Sequence, residues 1–170
     1  MDWLDALVTF LATLIGVAAG VPVALWIDRK VSSRHRKEEE VYFLHIVKDN
    51  LSHNVDLMNQ IQRELRVETV LFYHLDLSPW QTHSGRLDSV ENRELVQRIA
   101  RTYYELEHLN RKMDLQLEMA YSAFRAISGY SSERASLVQA ILGHIAVILP
   151  LAQKTIALID NELHHSQTTE

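Results

Sequence analysis

Nine histidines and 22 acidic residues give this chain of 170 residues many side chains that could bind a metal. Glu105 and His108 form a Glu-x-x-His pair, and Glu162 and His165 form another. Di-iron helical bundles use two such pairs, together with one carboxylate from each of two further helices. The first pair flanks a predicted core position, Leu106, and the second lies in the last helical turn. Because long helices rich in acids and histidines contain such pairs by chance, we predict no metal site and no cofactor.

A second set of candidate ligands lies on one face of a predicted helix. His45, Asp49 and His53 recur every four residues, a spacing at which two or three such groups can hold a metal. They lie beside the predicted apolar stripe, which favours a flank that faces solvent or another subunit. His144 interrupts an apolar stretch, and we predict a hydrogen-bonded core histidine there rather than a ligand.

Other chemistry is excluded by what the sequence lacks. There is no cysteine, which excludes disulfides, thiolate metal sites and a cysteine nucleophile. No nucleophile elbow, P-loop, dinucleotide fingerprint or HExxH motif occurs. The formal net charge of −5 provides no electrostatic footprint for a nucleic acid. The sequence therefore predicts a non-enzymatic protein, with no catalytic residues, that binds no nucleic acid.

The N-terminal segment has the composition of a membrane anchor. Residues 6–27 carry no charge, and at about 1.5 Å per residue they cover about 33 Å, enough for a hydrocarbon core of about 30 Å. Trp3 and Trp26 lie near its ends, where amphipathic rings favour the interface. The segment is followed by a basic juxtamembrane run of Arg29, Lys30, Arg34, Arg36 and Lys37. The positive-inside rule then predicts a single-pass protein of the cell (inner) membrane, with its N-terminus outside and its C-terminal domain cytoplasmic.

Two alternatives to this anchor are less consistent with the residues. Val17-Ala18-Ala19 resembles a signal-peptide cleavage site, but the preceding residues are acidic and the apolar run continues past Ala19. A buried core helix of this length and uniformity is unusual. We therefore assign residues 1–32 to an anchor with its basic flank.

A stripe of small residues lies within the anchor. Ala12, Gly16, Gly20 and Ala24 fall four residues apart, so that another transmembrane helix could approach closely and be held by van der Waals contact. Gly and Ala are also common in such helices, and chance alignment explains the stripe equally well.

The remainder reads as long helices. Apolar residues recur at steps of three and four in segments 33–67 and 89–128, and a last, unusually apolar helix is predicted at about 132–164. Residues 67–77 could extend the first helix or be extended, and Ser78-Pro79 looks like an N-cap followed by the first helical position. Trp80 is then either part of a lid that covers one end of the core or an exposed anchor for a partner. The apolar stretch 137–152 could cross the membrane, but we favour the central, most buried helix of a bundle.

The predicted fold is all-α: one N-terminal transmembrane helix, then an elongated antiparallel cytoplasmic bundle of about three long helices at 33–165, and a polar tail at 166–170. The order of features includes the single span, the basic run, Asn50 and Asn54, Trp80, Ser84-Gly85, Leu87, Tyr103-Tyr104 and Leu109-Asn110. This order resembles a diffuse group of small uncharacterised prokaryotic single-span membrane proteins with a cytoplasmic helical domain. The resemblance implies the architecture and no activity.

The sequence therefore favours an accessory or scaffold subunit whose partners are the lipid bilayer and either another transmembrane subunit or further copies of the same chain. A membrane-tethered sensor or effector, in stress or phage defence, is the first alternative. A metal-dependent helical-bundle enzyme is the second.

Overall fold

The computed structural model describes residues 3–65, 73–123 and 130–168, except for the side chains of 3–9, 11, 12, 14–16, 19, 121–123, 130–132, 167 and 168. These residues contain four α-helices: α1 (Trp3–Leu65), α2 (Ser78–His83), α3 (Arg93–Ala123) and α4 (Tyr130–Thr168). A 3₁₀ helix, Ser84–Ser89, follows α2 directly. No strand occurs among the described residues, so the predicted all-α class is confirmed.

The chain divides into two compact units, Met1–Glu39 and Glu40–Glu170. In the first unit, every described side chain from residue 10 to residue 39 is exposed. Helix α1 is continuous past Pro22 and past the basic run.

The second unit is a helical bundle with one hydrophobic core. The stripes read from the sequence supply it, because side chains three and four residues apart share a helix face. Fully buried members are Leu44, Leu51 and Ile61 of α1, Ile99, Leu106 and Leu109 of α3, and Ile141, Ile145 and Ile148 of α4.

Helices α1 and α3 run in the same direction, which corrects the predicted antiparallel arrangement. The N–H of Glu91, before α3, donates to Oε1 of Glu40 (3.3 Å), and further along both helices the Tyr103 hydroxyl donates to Oδ1 of Asn50 (2.8 Å). The connection from 73 to 92 therefore returns along the bundle rather than forming a tight turn. A parallel pair of helices requires such a crossover.

Helix α4 runs antiparallel to the other two. Near its start His144 contacts Glu105, further along Thr155 contacts Thr102, and near its end Glu162 accepts from Asn92. Positions further toward the C-terminus of α4 thus contact positions further toward the N-terminus of α3.

The prediction that this last helix is the most buried one is wrong. One stripe of α4 faces the core, but Ala140, Gly143, Ala146, Val147, Pro150 and Ala157 are exposed on its other side. The α4 segment Glu133–Ser166 is also the helix that, among the described residues, is long and apolar enough to cross a membrane, and 22% of its most apolar window is buried. The sequence instead predicted the spanning helix at the N-terminus, where many side chains of residues 6–19 lie outside the described residues.

The helix starts also differ from prediction. Ser78 is the first residue of α2 rather than its cap, and its N–H donates to Oδ1 of Asp76 (2.9 Å). At the start of α3, Oδ1 of Asn92 accepts from the N–H of Leu95 (3.1 Å), the geometry of an N-cap. Asp88 and Ser89, the other residues before α3 with side chains suited to a cap, belong to the 3₁₀ helix.

Two adjacent residues of α4 test its one-sided burial. Ile148 is 0% exposed and Val147 is 62% exposed. We expect Ile148→Ala to lower the free energy of unfolding by about 3 kcal/mol through lost burial and a cavity. Val147→Ala should change it by less than about 0.5 kcal/mol. Urea unfolding of the detergent-solubilised chain, followed by circular dichroism, measures both, and equal effects would contradict one-sided burial.

Candidate functional site

The most distinctive site of the bundle is a short non-helical segment, residues 73–77, held between α1 and α3 by asparagine side chains. Asn110 of α3 accepts from the N–H of Leu75 (2.8 Å) and donates to its carbonyl oxygen (2.9 Å). Asn54 of α1 does the same for Asp76, at 2.9 Å and 2.8 Å. We call this segment the strap.

The pairing follows from the shape of an amide. An asparagine side chain presents a donor and an acceptor side by side, as a peptide group does. In extended backbone the N–H and C=O of one residue point the same way, and those of the next residue point the opposite way. Leu75 is therefore bound from α3 and Asp76 from α1, so the backbone of both residues has hydrogen-bond partners without a β-ladder.

Asn50 extends this network into the core. Its Oδ1 accepts from the Tyr103 hydroxyl at 2.8 Å and from Nδ2 of Asn54 at 3.1 Å, and its own Nδ2 donates to Oδ2 of Asp76 at 2.8 Å. Asn50 thus connects α1 to α3, whereas Asn54 binds the strap. Burial raises the pKa of the Tyr103 hydroxyl far above its ordinary value, so that it remains a donor at neutral pH.

Trp80 of α2 covers this network. Its ring is half-buried and stacks on the ring of Tyr103, with centroids 5.2 Å apart and planes 14° from parallel. Helix α2 therefore contacts the tyrosine whose hydroxyl group binds Asn50 of α1.

Asp76 is the charged member of the site. The backbone N–H of Ser78 lowers the pKa of the Asp76 carboxyl group. Burial partly opposes this decrease, and Asn50 and His53 add to it. The carboxylate thus supports the start of α2 and binds α1 at the same time.

A second polar cluster joins α3 to α4. Nε2 of His144 lies 2.8 Å from Oε2 of Glu105, and Nδ1 lies 3.1 Å from Nζ of Lys112. Because an ammonium group only donates, Nδ1 accepts from Lys112, and the other ring nitrogen faces the Glu105 carboxylate. The predicted hydrogen-bonded histidine is confirmed, with a side chain 12% exposed.

The two Glu-x-x-His pairs considered in the sequence do not come together. Glu105 binds His144 rather than His108, whose ring lies edge-on against Tyr104. His45, Asp49 and His53 are exposed on α1. Within the described ranges, no three histidine or acidic side chains are grouped to hold a metal ion.

The remaining predicted residues lie in the N-terminal unit. Gly20 and Ala24 are exposed, and a Cβ at Gly20 would meet nothing within 4 Å. Ala12 and Gly16 belong to α1, but their side chains lie outside the described residues. The basic residues Arg29, Lys30, Arg34, Arg36 and Lys37 are all exposed.

Comparison with protein-family models, curated proteins and solved structures finds no match to this chain.

Sequence reasoning missed most of the strap site. Asn110 and Tyr103 give no local signal, since their partners lie 35 and 53 residues away. Asp76 does have a signal, because an aspartate two residues before Ser78-Pro79 is typical of an Asx turn that starts a helix.

Asn110→Ala tests the strap. The change leaves the N–H and C=O of Leu75 buried without their partner, so we expect a loss of about 3 kcal/mol in the free energy of unfolding. Asn59→Ala, at an exposed position of α1, is the matched control and should change it by less than about 0.5 kcal/mol. Urea unfolding measures both, and a neutral Asn110→Ala would show that the strap contributes little.

The Asp76 carboxylate predicts acid sensitivity. Because its pKa is lower in the folded state, its stabilisation is fully present above the ordinary value of 3.8 and is lost as the pH falls through the folded value. Asp76→Asn should flatten the decline of the unfolding free energy below pH 4. The exposed Asp56→Asn is the control, and an unchanged profile in Asp76→Asn would contradict the assignment.

Proposed function

We propose that this chain is a non-enzymatic, membrane-anchored helical interaction protein that serves a larger membrane complex as an accessory or scaffold subunit. One observation carries the proposal. Of twelve exposed large hydrophobic side chains among the described residues, eight fall between Phe10 and Val31 of α1. Water disfavours such a surface, and a helix that is apolar all round suits a lipid environment.

The anchor proposed is residues 6–27, crossing the cell (inner) membrane once. The acids Asp2 and Asp5 precede it and the basic run follows it, which favours an outer N-terminus and a cytoplasmic bundle.

Contacts of α4 support this choice over α4 itself as the anchor. His144 binds Glu105 and Lys112, Thr155 binds Thr102, and Asp160 binds Lys48 at 2.6 Å. The Lys48 ammonium gains from Asp160 a hydrogen bond that raises its pKa. Moving α4 into lipid would break these polar contacts, whose cost in hydrocarbon is high.

Two surfaces support a role in interaction. The small-residue stripe of Ala12, Gly16, Gly20 and Ala24 would let a second transmembrane helix approach α1 closely. The exposed side of α4 offers the bundle a further apolar surface of small residues.

Gly20→Leu tests helix docking. A side chain at Gly20 meets no neighbour in the fold, so a loss of partner would not come from damage to the chain itself. We expect Gly20→Leu to reduce co-purification of a stoichiometric membrane partner, or of a second copy, at least tenfold from gentle detergent. The readout is native mass determination with mass spectrometry.

Ala18→Leu is the matched control, since it adds the same bulk on the opposite side of α1. Wild-type behaviour of both variants would contradict docking through the stripe. Recovery of the wild-type chain from the soluble fraction would contradict the anchor.

A further inference from the structure

We propose that residues 26–37 of α1 form a binding face for the headgroups of anionic phospholipids. The inference rests on the proposed membrane anchor and adds lipid selectivity to it. A basic flank that only orients the chain needs a sufficient number of cations, wherever they lie around the helix. A binding site needs its cations on one side of the helix.

The cations of this segment are segregated on one side. At about 100° per residue, Arg29, Lys30, Arg34, Arg36 and Lys37 fall within an arc of about 160°. Asp28, the one acid between residues 26 and 37, lies on the opposite half of the helix, together with Val31 and His35. The net positive charge of the segment is therefore presented in one direction.

Trp26 shares the basic side and connects it to the apolar segment. The ammonium group of Lys30 lies 5.2 Å from the centroid of the Trp26 ring, one helical turn away. Tryptophan rings favour the membrane interface, where phosphate groups lie. The ring would thus hold the first cation of the face at headgroup depth.

The cations are available to a ligand. Arg29, Lys30, Arg36 and Lys37 are exposed and take part in no ion pair among the described residues, and the one pair on this face joins Arg34 to Glu38 at 3.4 Å. Arginine and lysine donors suit phosphate oxygens, and each basic residue near an anionic surface strengthens binding about fivefold.

A lipid fits this face better than a nucleic acid does. The basic run is immediately followed by Glu38, Glu39 and Glu40, and the whole chain carries a charge of −5. The acidic run limits the length of basic surface that a long polyanion could contact, and the negative net charge repels such a polyanion. The apolar residues that precede Trp26 suit the acyl chains of the same lipid.

The test compares lipid retention by the full-length chain. The purified protein is incorporated into nanodiscs of phosphatidylcholine with one fifth phosphatidylglycerol. It is then released, and native mass spectrometry identifies the lipids that it retains. We expect phosphatidylglycerol to make up well over one fifth of the retained lipid, and Arg29→Gln/Lys30→Gln/Lys37→Gln to return that share to the one fifth of the bilayer.

The matched control removes the same charge elsewhere. Arg93→Gln/Arg101→Gln/Lys154→Gln changes three exposed residues of the bundle and should leave the enrichment unchanged. Equal losses in both variants, or no enrichment in a wild-type chain that inserts normally, would overturn the lipid site and leave the anchor intact. Failure of the wild-type chain to enter these nanodiscs would overturn the anchor and the lipid site together. Binding of a DNA duplex that displaces the phosphatidylglycerol would assign the face to nucleic acid instead.

Discussion

The bundle depends on how the backbone of one short, non-helical segment finds hydrogen-bond partners. A helix satisfies its own N–H and C=O groups and a strand uses its neighbours, but the strap lies between two helices and has neither option. Asn54 and Asn110 replace the missing ladder, each binding both polar groups of one strap residue. Without Asn110, the N–H and C=O groups of the buried Leu75 would lose their partner, at a cost of about 1–3 kcal/mol each.

The strap makes the rest of the topology possible. Because it returns along the bundle, α3 can start beside Glu40 and run parallel to α1. Helix α4 then runs antiparallel to α1 and α3, and one face of α4 packs against both helices. Its outer face, rich in small apolar residues, is left exposed. The same crossover brings Trp80 onto Tyr103 and connects α2 to the core.

Polar groups within the bundle bind helices together. Asn50, Asp76 and Tyr103 join α1, the strap and α3, while Glu105, His144 and Lys112 join α3 to α4. In each contact a donor of one side chain pairs with an acceptor of its neighbour, as expected where the surroundings are largely apolar. Such an arrangement fits a protein that presents surfaces, and the proposed anchor and headgroup face would place those surfaces at a membrane.

The sequence by itself determined the helices, because hydrophobic spacing is a local property. The stripes through Leu44 and Leu51 of α1, and through Ile99 and Leu106 of α3, became core as their period requires. The sequence also predicted that His144 forms a hydrogen bond, since a histidine in an apolar stretch needs a polar partner. Only the tertiary structure decided which partner that was, which way α3 runs and which face of α4 is covered. These outcomes depend on pairs such as Asn54 with Asp76 and Asn110 with Leu75, and amides far apart in sequence carry no mark of the backbone that they will bind.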